Sequence, residues 1–282
     1  KTQAYVIRIL EELEIPYKCS SKDSGIIAEI KGEKPGKTVA LRADMDALKI
    51  QEENDVDYKS IHDGFMHACG HDTHITMLLG AAKILNQHKE DLQGTVRLLF
   101  QTAEELAKGS QVMIEEGGMD NVDAVFGQHI GSIMNKDIPS GKVIIVPGCC
   151  MASYDRFSIK VNGHGCHGST PEKGIDPVNI ASHIVIALQE IIAREVSAVK
   201  PAVITIGMIH GGVAYNAIPS IVEIEGTIRA LEEPVRQHLA KRIKEISEQT
   251  AKTFGGAAEV EIDWGAPPVT NDNEMVELAT NA

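Results

Sequence analysis

Apolar positions in the first half of the chain switch between the spacing of helices and the spacing of strands. Helical spacing is found in two sets of residues: Val6, Ile9, Leu10 and Leu13 before Pro16, and Leu78, Ala81, Ala82 and Leu85. A shorter helix is predicted near residues 110–116, where two glycines end it. Strands are predicted over residues 25–30, 38–42, 94–100 and 122–126. Strands alternating with helices predict an α/β layer with a largely parallel sheet.

From about residue 152 the order of elements changes. A strand over 154–161 is followed by a helix (176–195), two strands (202–209 and 221–230), a helix (234–254) and a strand (258–262). This β-α-β-β-α-β order is the ferredoxin-like motif. We therefore predict a first domain over residues 1–151, a ferredoxin-like domain over 152–264, and a segment 265–282 that begins a return to the first domain and is cut short.

Composition narrows the class of protein. With 282 residues and 43% hydrophobic content, the chain can bury a sizeable core. The 27 Lys and Arg against 40 Asp and Glu give a net charge of −13, which disfavours nucleic acid and anionic membranes as partners. We see no targeting leader or membrane-spanning run, so we expect a cytoplasmic protein. The 5 Cys do not form a disulfide or zinc-ribbon pattern, and we expect reduced thiols.

Polar groups follow three of the predicted strands. Asp44 and Asp46 follow one strand, the pair Glu104 and Glu105 follows the next, and His129 follows the third. In open α/β sheets the ligand crevice lies at the carboxyl ends of the strands, so these side chains are expected to converge. Cys69 and His71, in a cluster that also contains His67 and His74, precede a helix that is expected to open onto the same crevice.

The side-chain types at this crevice predict a metal site. Thiolate, imidazole and carboxylate together suit Zn²⁺ or another late first-row ion, whereas Ca²⁺ and Mg²⁺ prefer oxygen alone. Consecutive side chains of an extended segment point in different directions, so one of Glu104 and Glu105 can bind metal while the other faces the substrate. A metal ion and a carboxylate base together activate water against an amide. Singly, each residue is more often packed or solvated, and for His67 and His74 we expect polar or surface roles.

Several motifs occur in order along nearly the whole chain: residues 41–48, 66–74, 101–105, 163–167 with 174–177, 216–219 and 226–229. On these motifs the chain resembles the M20 metallopeptidase family, in the amidohydrolase branch of aminoacylase-like, hippurate-hydrolase-like and auxin-conjugate-hydrolase-like enzymes. The resemblance implies a zinc-peptidase-like catalytic domain with an inserted ferredoxin-like lid that mediates homodimerisation. It also implies two divalent metal ions, Zn²⁺ or Mn²⁺, with Co²⁺ and Ni²⁺ as alternatives.

The resemblance also implies roles for individual residues. Cys69 would bridge the two ions, with His71, Glu105 and His129 as further ligands. The catalytic and substrate-binding roles would be divided among five residues: Glu104 as general base, Asp46 orienting a ligand imidazole, His167 polarising the scissile carbonyl, and Asn216 and Arg229 gripping a free carboxylate. His167 would reach an active site that is often the partner subunit's.

These roles predict a hydrolase of N-acyl amino acids or related small amides with a free carboxylate. Two alternatives stay open: a dipeptidase or carboxypeptidase with the same centre, and a non-catalytic metal-binding dimerisation module. Family members extend ahead of Lys1 and beyond Ala282, so we expect the last metal-ligand His beyond Ala282. Three cysteines match no ligand position and are expected to be small buried residues: Cys149, Cys150 and Cys166.

Overall fold

A computed structural model describes residues 1–131 and 138–282 of the chain. These form two compact units, Lys1–Val143 and Ile144–Ala282. These units meet between Val143 and Ile144, whereas the sequence predicts a domain boundary at Met151. In its described residues, the first unit contains the helices α1 (Thr2–Glu12), α2 (His71–Gln87) and α3 (Gly109–Glu115) and the strands β1 (Tyr17–Cys19), β2 (Ile26–Lys31), β3 (Lys34–Asp44), β4 (Gln93–Gln101) and β5 (Ala124–Gly127).

The sheet of the first unit is mixed. Its strand order is β1-β2-β4-β3-β5. Strand β3 is parallel to β4 and β5, whereas β2 is antiparallel to β4 and to β1. The prediction of a largely parallel sheet therefore holds for β3, β4 and β5, the strands that lead to the candidate site. Strand β2 is reversed because only a short link separates Lys31 from Lys34, and parallel strands need a crossover of about a dozen residues or more.

Both faces of β4 are covered, which explains its nearly continuous apolar sequence. Leu98 and Phe100 belong to a core cluster that includes residues of α1 and α2, among them Val6 and Leu78. Leu99 points to the opposite face and packs with Ala40 and Met113. The predicted core strand is thus buried between helices on its two sides.

The second unit is built around a four-stranded antiparallel sheet. Its described elements are the strands β6 (Gly148–Met151), β7 (Tyr154–Asn162), β8 (Cys166–His167), β9 (Ala202–Gly211), β10 (Ala217–Ile218), β11 (Ile221–Ala230), β12 (Ala257–Ala266) and β13 (Val269–Asn271) and the helices α4 (Pro177–Glu190), α5 (Glu233–Thr253) and α6 (Asn273–Asn281). The order in the sheet is β12-β7-β11-β9. Apolar residues of α4 and α5 pack on one face of the sheet in a single core cluster.

Helix α4 begins where the sequence predicts and ends earlier. The Asp176 carboxylate accepts hydrogen bonds from the backbone N–H groups of Val178 and Asn179, at 2.8 and 3.2 Å, and so caps the first turn. The predicted helix extends to residue 195, whereas the α-helical part ends at Glu190 and Ile191–Glu195 forms a π-helical turn. Apolar spacing alone does not separate these two helix types.

Two further ribbons lie at the ends of this sheet. Strands β8 and β10 pair antiparallel just beyond the end where Asn162 faces Ile221. At the other end, Tyr154 pairs with Ala266, and β6 pairs with β13. The chain therefore enters and leaves the four-stranded sheet at one place, along paired segments.

A buried ion pair stabilises the entry point. Asp155, fully buried at the start of β7, accepts hydrogen bonds from Arg236 of α5 at 2.6 and 2.8 Å, and from the backbone N–H of Gly265 at 3.0 Å. The Arg236 guanidinium in turn lies over the ring of Trp264, 4.7 Å from its centroid. Three elements, β7, α5 and β12, are therefore joined at one carboxylate.

We expect Asp155→Ala to lower the free energy of unfolding of the second unit by about 3 kcal/mol, because it removes the buried partner of Arg236 and leaves only the more exposed Glu233, at 3.1 Å. Denaturant titration followed by circular dichroism measures this change. Lys200→Ala is the matched control: its pair with Glu232 is exposed, and its loss should cost at most about 1 kcal/mol. Equal losses in the two variants would contradict the expected role of Asp155.

Three cysteines are less buried than the sequence predicts. The cysteines Cys149, Cys150 and Cys166 are half-buried free thiols rather than small buried residues, because each lies in a strand near the edge of a ribbon.

Over residues 1–131 and 138–282, every helix is too short or too polar to span a lipid bilayer. A location in the cytoplasm stays a prediction.

Candidate metal centre

The chemistry-bearing residues of the first unit converge at the carboxyl ends of β3, β4 and β5. Asp44 ends β3 and Asp46 follows it, while His71 is the first residue of α2. Glu104 and Glu105 follow β4, and His129 follows β5. Cys69 lies just before α2. The sequence prediction of one crevice for these groups is consistent with this placement.

His71 lies at the middle of the cluster and is fully buried. Its Nδ1–H donates to the backbone oxygen of Asp46 at 3.0 Å, and a carboxylate oxygen of Asp46 is 3.3 Å from the same nitrogen. Its other nitrogen, Nε2, faces the carboxylates of Asp44, Glu104 and Glu105 at 3.6, 3.8 and 3.9 Å. The hydrogen bond at Nδ1 therefore leaves Nε2 facing three carboxylates. Burial lowers the pKa of His71, but the contact with Asp46 and the charge of Asp44 raise it overall, so this position favours positive charge.

Three buried polar atoms of this cluster have no hydrogen-bond partner within the described part of the chain: Nε2 of His71, Oδ1 of Asp46 and Oε1 of Glu105. Buried polar atoms are nearly always paired, so such a group needs an explanation. Oδ1 of Asp46 lies 3.3 Å from Nδ1 of His71, and a cation bound by Nε2 of His71 and Oε1 of Glu105 would pair the other two. The donor set fits a divalent transition metal.

Cys69 and His129 provide the softer donors. Sγ of Cys69 lies 3.3 Å from Nε2 of His129, and these two atoms and a ring nitrogen of His71 all lie within 4.8 Å of one another. His71, Glu104 and Glu105 form a second group with the same spacing. Both groups share His71, so the predicted ligands lie around one imidazole.

The electrostatics of the cluster favour a positive ion. Burial and the neighbouring charge of Glu105 raise the pKa of the Cys69 thiol to about 11. Burial and the charges of Asp44 and Glu105 likewise raise the pKa of Glu104. A surplus of negative charge that retains protons on acids also attracts a divalent cation, which would displace those protons on binding.

Asp46 is ionised in spite of its burial. Burial by itself would raise the pKa of this carboxyl, but the nearby imidazole of His71 (3.3 Å from Oδ1) and the backbone N–H of Glu105 (3.1 Å) hold it at about 2. The same carboxylate thus contacts the imidazole of the cluster and the loop that carries the glutamates. This is the arrangement expected of a group that orients a metal-binding histidine.

The loop after β4 has an unusual backbone. Ala103 and Ala107 have positive φ angles of 50° and 54°, a region that residues with a Cβ rarely adopt. The backbone oxygen of Ala103 accepts from the N–H groups of Lys108 and Gly109. On its outer side, the hydroxyl of Thr102 donates to the carboxylate of Asp23. The sequence alone does not indicate Asp23 as a neighbour of this loop, because 79 residues separate it from Thr102.

His74 and Asp44 also have a larger part than the sequence suggests. His74 is only 2% exposed, so a surface role is wrong, although its polar neighbours agree with the other expectation. Its Nδ1 lies 2.6 Å from the carboxylate of Asp44, which is itself fully buried. His67, by contrast, is half-buried, and its Nδ1 lies 3.1 Å from the backbone oxygen of Asp46.

The remaining predicted residues lie in the second unit, at opposite ends of its sheet. His167 pairs with Ala217 in the β8–β10 ribbon, and the backbone oxygen of Asn216 accepts from the N–H of Gly168 at 2.9 Å. Arg229 lies near the far end of β11, with its guanidinium 4.2 Å from the centroid of the Tyr154 ring. At about 3.4 Å per residue, this separates Arg229 from the start of β11 by roughly 27 Å.

The chain matches known proteins over most of its length. The family model of peptidase family M20/M25/M40 matches residues 40–282. The chain is 41% identical to an N-acetyl-L-cysteine deacetylase of Bacillus subtilis (strain 168), an alignment that covers 100% of this chain and 67% of that protein. It is 45% identical to thermostable carboxypeptidase 2 of Saccharolobus solfataricus, over 90% of this chain and 64% of that protein.

A solved structure shows the same fold. The crystal structure of a Bacillus subtilis protein, described as a dinuclear metal binding peptidase from the M20 family, superposes with a TM-score of 0.83 at 36% sequence identity. The match covers 99% of this chain and 72% of that chain. This chain therefore spans about two thirds to three quarters of the length of the proteins it matches.

Proposed function

The chain belongs to peptidase family M20/M25/M40, and from this membership we propose that it is a metal-dependent amidohydrolase that cleaves the amide bond of N-acyl amino acids. One observation carries the proposal. The buried Nε2 of His71 makes no hydrogen bond to any described residue and faces Glu104 and Glu105 at 3.8 and 3.9 Å. A relative of similar sequence is named for deacetylating N-acetyl-L-cysteine, which is an amide of this class.

We propose that Cys69, His71, Glu105 and His129 would hold two divalent ions. Zn²⁺ and Mn²⁺ both suit these donors, and Co²⁺ or Ni²⁺ would use the same set. When bound, the ions would polarise the amide carbonyl and lower the pKa of a water molecule. The related structure described as a dinuclear metal binding peptidase supports the count of two.

The other residues of the first unit would move and hold protons. Glu104 is only partly exposed, and its pKa is raised by burial and then by the charges of Asp44 and Glu105, which suits a group that takes a proton from water and passes it to the leaving amine. Asp46 keeps the proton of His71 on Nδ1, through the contacts at 3.0 and 3.3 Å. The imidazole then presents its bare nitrogen to the site.

For the second unit we propose the role of a ferredoxin-like lid that also forms a homodimer. Its sheet order and the two helices on one face support this assignment. His167 and Asn216 lie at one end of the sheet and Arg229 at the other, so one active site cannot receive both ends of the same lid. We infer that the two ends serve the two different active sites of a dimer.

A substrate panel tests the proposed activity. The protein, loaded with Zn²⁺ or Mn²⁺ in separate preparations, should hydrolyse N-acetyl and N-benzoyl amino acids, and a chelator should abolish turnover. N-acetyl amino acid amides are the matched control, because they lack the carboxylate that Arg229 is proposed to grip. We expect their kcat/KM to be lower by at most about 10²-fold, in line with the loss of a charged hydrogen-bond pair.

A carboxypeptidase or dipeptidase is the second candidate, favoured by the 45% identity to a thermostable carboxypeptidase. Dipeptides and N-blocked dipeptides in the same panel distinguish the two: a higher kcat/KM on these than on N-acetyl amino acids would replace the first proposal by the second. Metal binding without hydrolysis of any substrate would instead identify a non-catalytic dimerisation module.

A further inference from the structure

Both ring nitrogens of His74 are occupied. The backbone N–H of Ile130 donates to Nε2 at 3.0 Å, and Nδ1 lies 2.6 Å from Oδ1 of Asp44. A ring nitrogen that accepts an N–H carries no proton, so in neutral His74 the proton is on Nδ1 and is donated to Asp44. The two hydrogen bonds therefore define one tautomer and one orientation of the ring.

This geometry rules out a metal-binding role for His74. Ligand atoms of Asp44, His71 and His74 lie within 4.8 Å of one another, which is suitable spacing for an ion. A neutral imidazole has one lone pair, however, and in His74 that pair accepts the N–H of Ile130. His71, less than one helical turn away, keeps its Nε2 free. The two histidines of the motif thus have different tasks.

Ile130 is held on its other side by Gly70. Gly70 precedes helix α2 with a φ of 84°, and a Cβ added there would lie 2.2 Å from Cδ1 of Ile130. The side chain of Ile130 therefore fills the space that the glycine leaves next to Cys69. The backbone oxygen of Ile130 accepts a hydrogen bond from Nδ1–H of His129 at 3.0 Å. This contact turns Nε2 of the His129 ring toward Sγ of Cys69.

We propose that His74 is a positioning residue that anchors Ile130 and thereby holds the imidazole of His129 against Cys69. The other end of this chain of contacts is rigid, because Asp44 is buried and accepts from Nη1 of Arg42 at 2.7 Å. The role extends the proposed function, since it depends on His129 being a metal ligand. It gives a task to a motif histidine that binds neither metal nor substrate.

Three substitutions separate the two hydrogen bonds. His74→Gln can place an acceptor near the position of Nε2, His74→Asn can place a polar group near that of Nδ1, and His74→Phe retains only the ring shape. We expect the affinity of the metal-free protein for Zn²⁺, measured by competition with a chelator, to fall about 10- to 100-fold in the Phe and Asn variants. The Gln variant should lose less, because it can still accept from Ile130.

The same titration in a His129→Ala background tests whether His74 acts through His129. There, His74→Phe should cause no further loss of Zn²⁺ affinity. Additive losses, or wild-type affinity for Zn²⁺ in the His74→Phe protein, would overturn the role of His74 and leave the proposed function unaffected. A wild-type protein that binds no Zn²⁺ would overturn the proposed function as well.

A measurement on the unmodified protein does not depend on the folding of any variant. In the metal-free protein labelled with ¹⁵N at histidine, the side chain of His74 should show a protonated Nδ1 and an unprotonated Nε2. The opposite tautomer, or a doubly protonated ring at neutral pH, would mean that Nε2 does not accept from Ile130 and would reject the proposal.

Discussion

Replacing Glu104 by Gln should lower kcat by about 10²- to 10⁴-fold while the bound metal stays at the wild-type level. Gln has the shape of Glu but cannot take a proton, so only the transfer from water to the leaving amine is lost. In the metal-free site, burial and the charges of Asp44 and Glu105 raise the pKa of Glu104, so this carboxyl binds a proton more readily than a solvent-exposed one. Steady-state kinetics on an N-acetyl amino acid, with elemental analysis of the same sample, measures both quantities.

The neighbouring residue provides a contrast. Glu105→Gln should lower metal content, because the Oε1 atom of Glu105 is one of the buried atoms proposed to bind the ion. Glu115→Gln is the control for removal of a charge, since Glu115 lies on α3 in an exposed pair with Lys22. If Glu104→Gln lost metal and kept its kcat per bound ion, the roles of the two adjacent glutamates would have to be exchanged.

Two inactive variants should restore activity to each other if the lid serves two sites of a dimer. His167→Ala and Glu104→Gln chains, unfolded together and refolded as a mixture, should recover about a quarter of wild-type activity. Random pairing makes half of the dimers mixed, and in each of these one site combines an intact Glu104 with an intact His167 from the partner. Each variant refolded alone should remain inactive.

Arg229 is the matched comparison, because it lies at the other end of the same sheet. If His167 reaches the partner's site, then Arg229→Ala mixed with Glu104→Gln should recover nothing. Recovery in both mixtures, or in neither, would contradict the inference that the two ends of one lid serve different sites. Size-exclusion chromatography with light scattering checks that the mixed chains are dimers.

The residue types of the candidate site were predictable, and their contacts were not. Two of the proposed ligands follow predicted strands, Glu105 and His129, and two precede a predicted helix, Cys69 and His71. Topology alone brings such positions to one edge of a sheet. Short-range pattern cannot show that His74 is buried, because its partner Ile130 is far along the chain and contributes only a backbone N–H. The contact of Thr102 with Asp23 was hidden for the same reason.

The elements of the fold were largely predictable for similar reasons. Strand β4 has apolar residues on both faces and α2 has a regular apolar stripe, so periodicity locates both. The direction of β2 depends on the short link from Lys31 to Lys34, a feature of loop length rather than of hydrophobic pattern. Apolar spacing does not distinguish α4 from the π-helical turn that follows it over Ile191–Glu195.

The pairing of Tyr154 with Ala266 has a consequence for how such proteins vary. Because the chain enters and leaves the four-stranded sheet at neighbouring positions, the whole segment between them can be exchanged for a related one through two neighbouring junctions. Permutation and domain insertion succeed at sites of this kind, where the ends are close and the connection is short. This segment can therefore vary as a unit among related proteins, while the strands that carry the histidines and glutamates of the first unit stay unchanged.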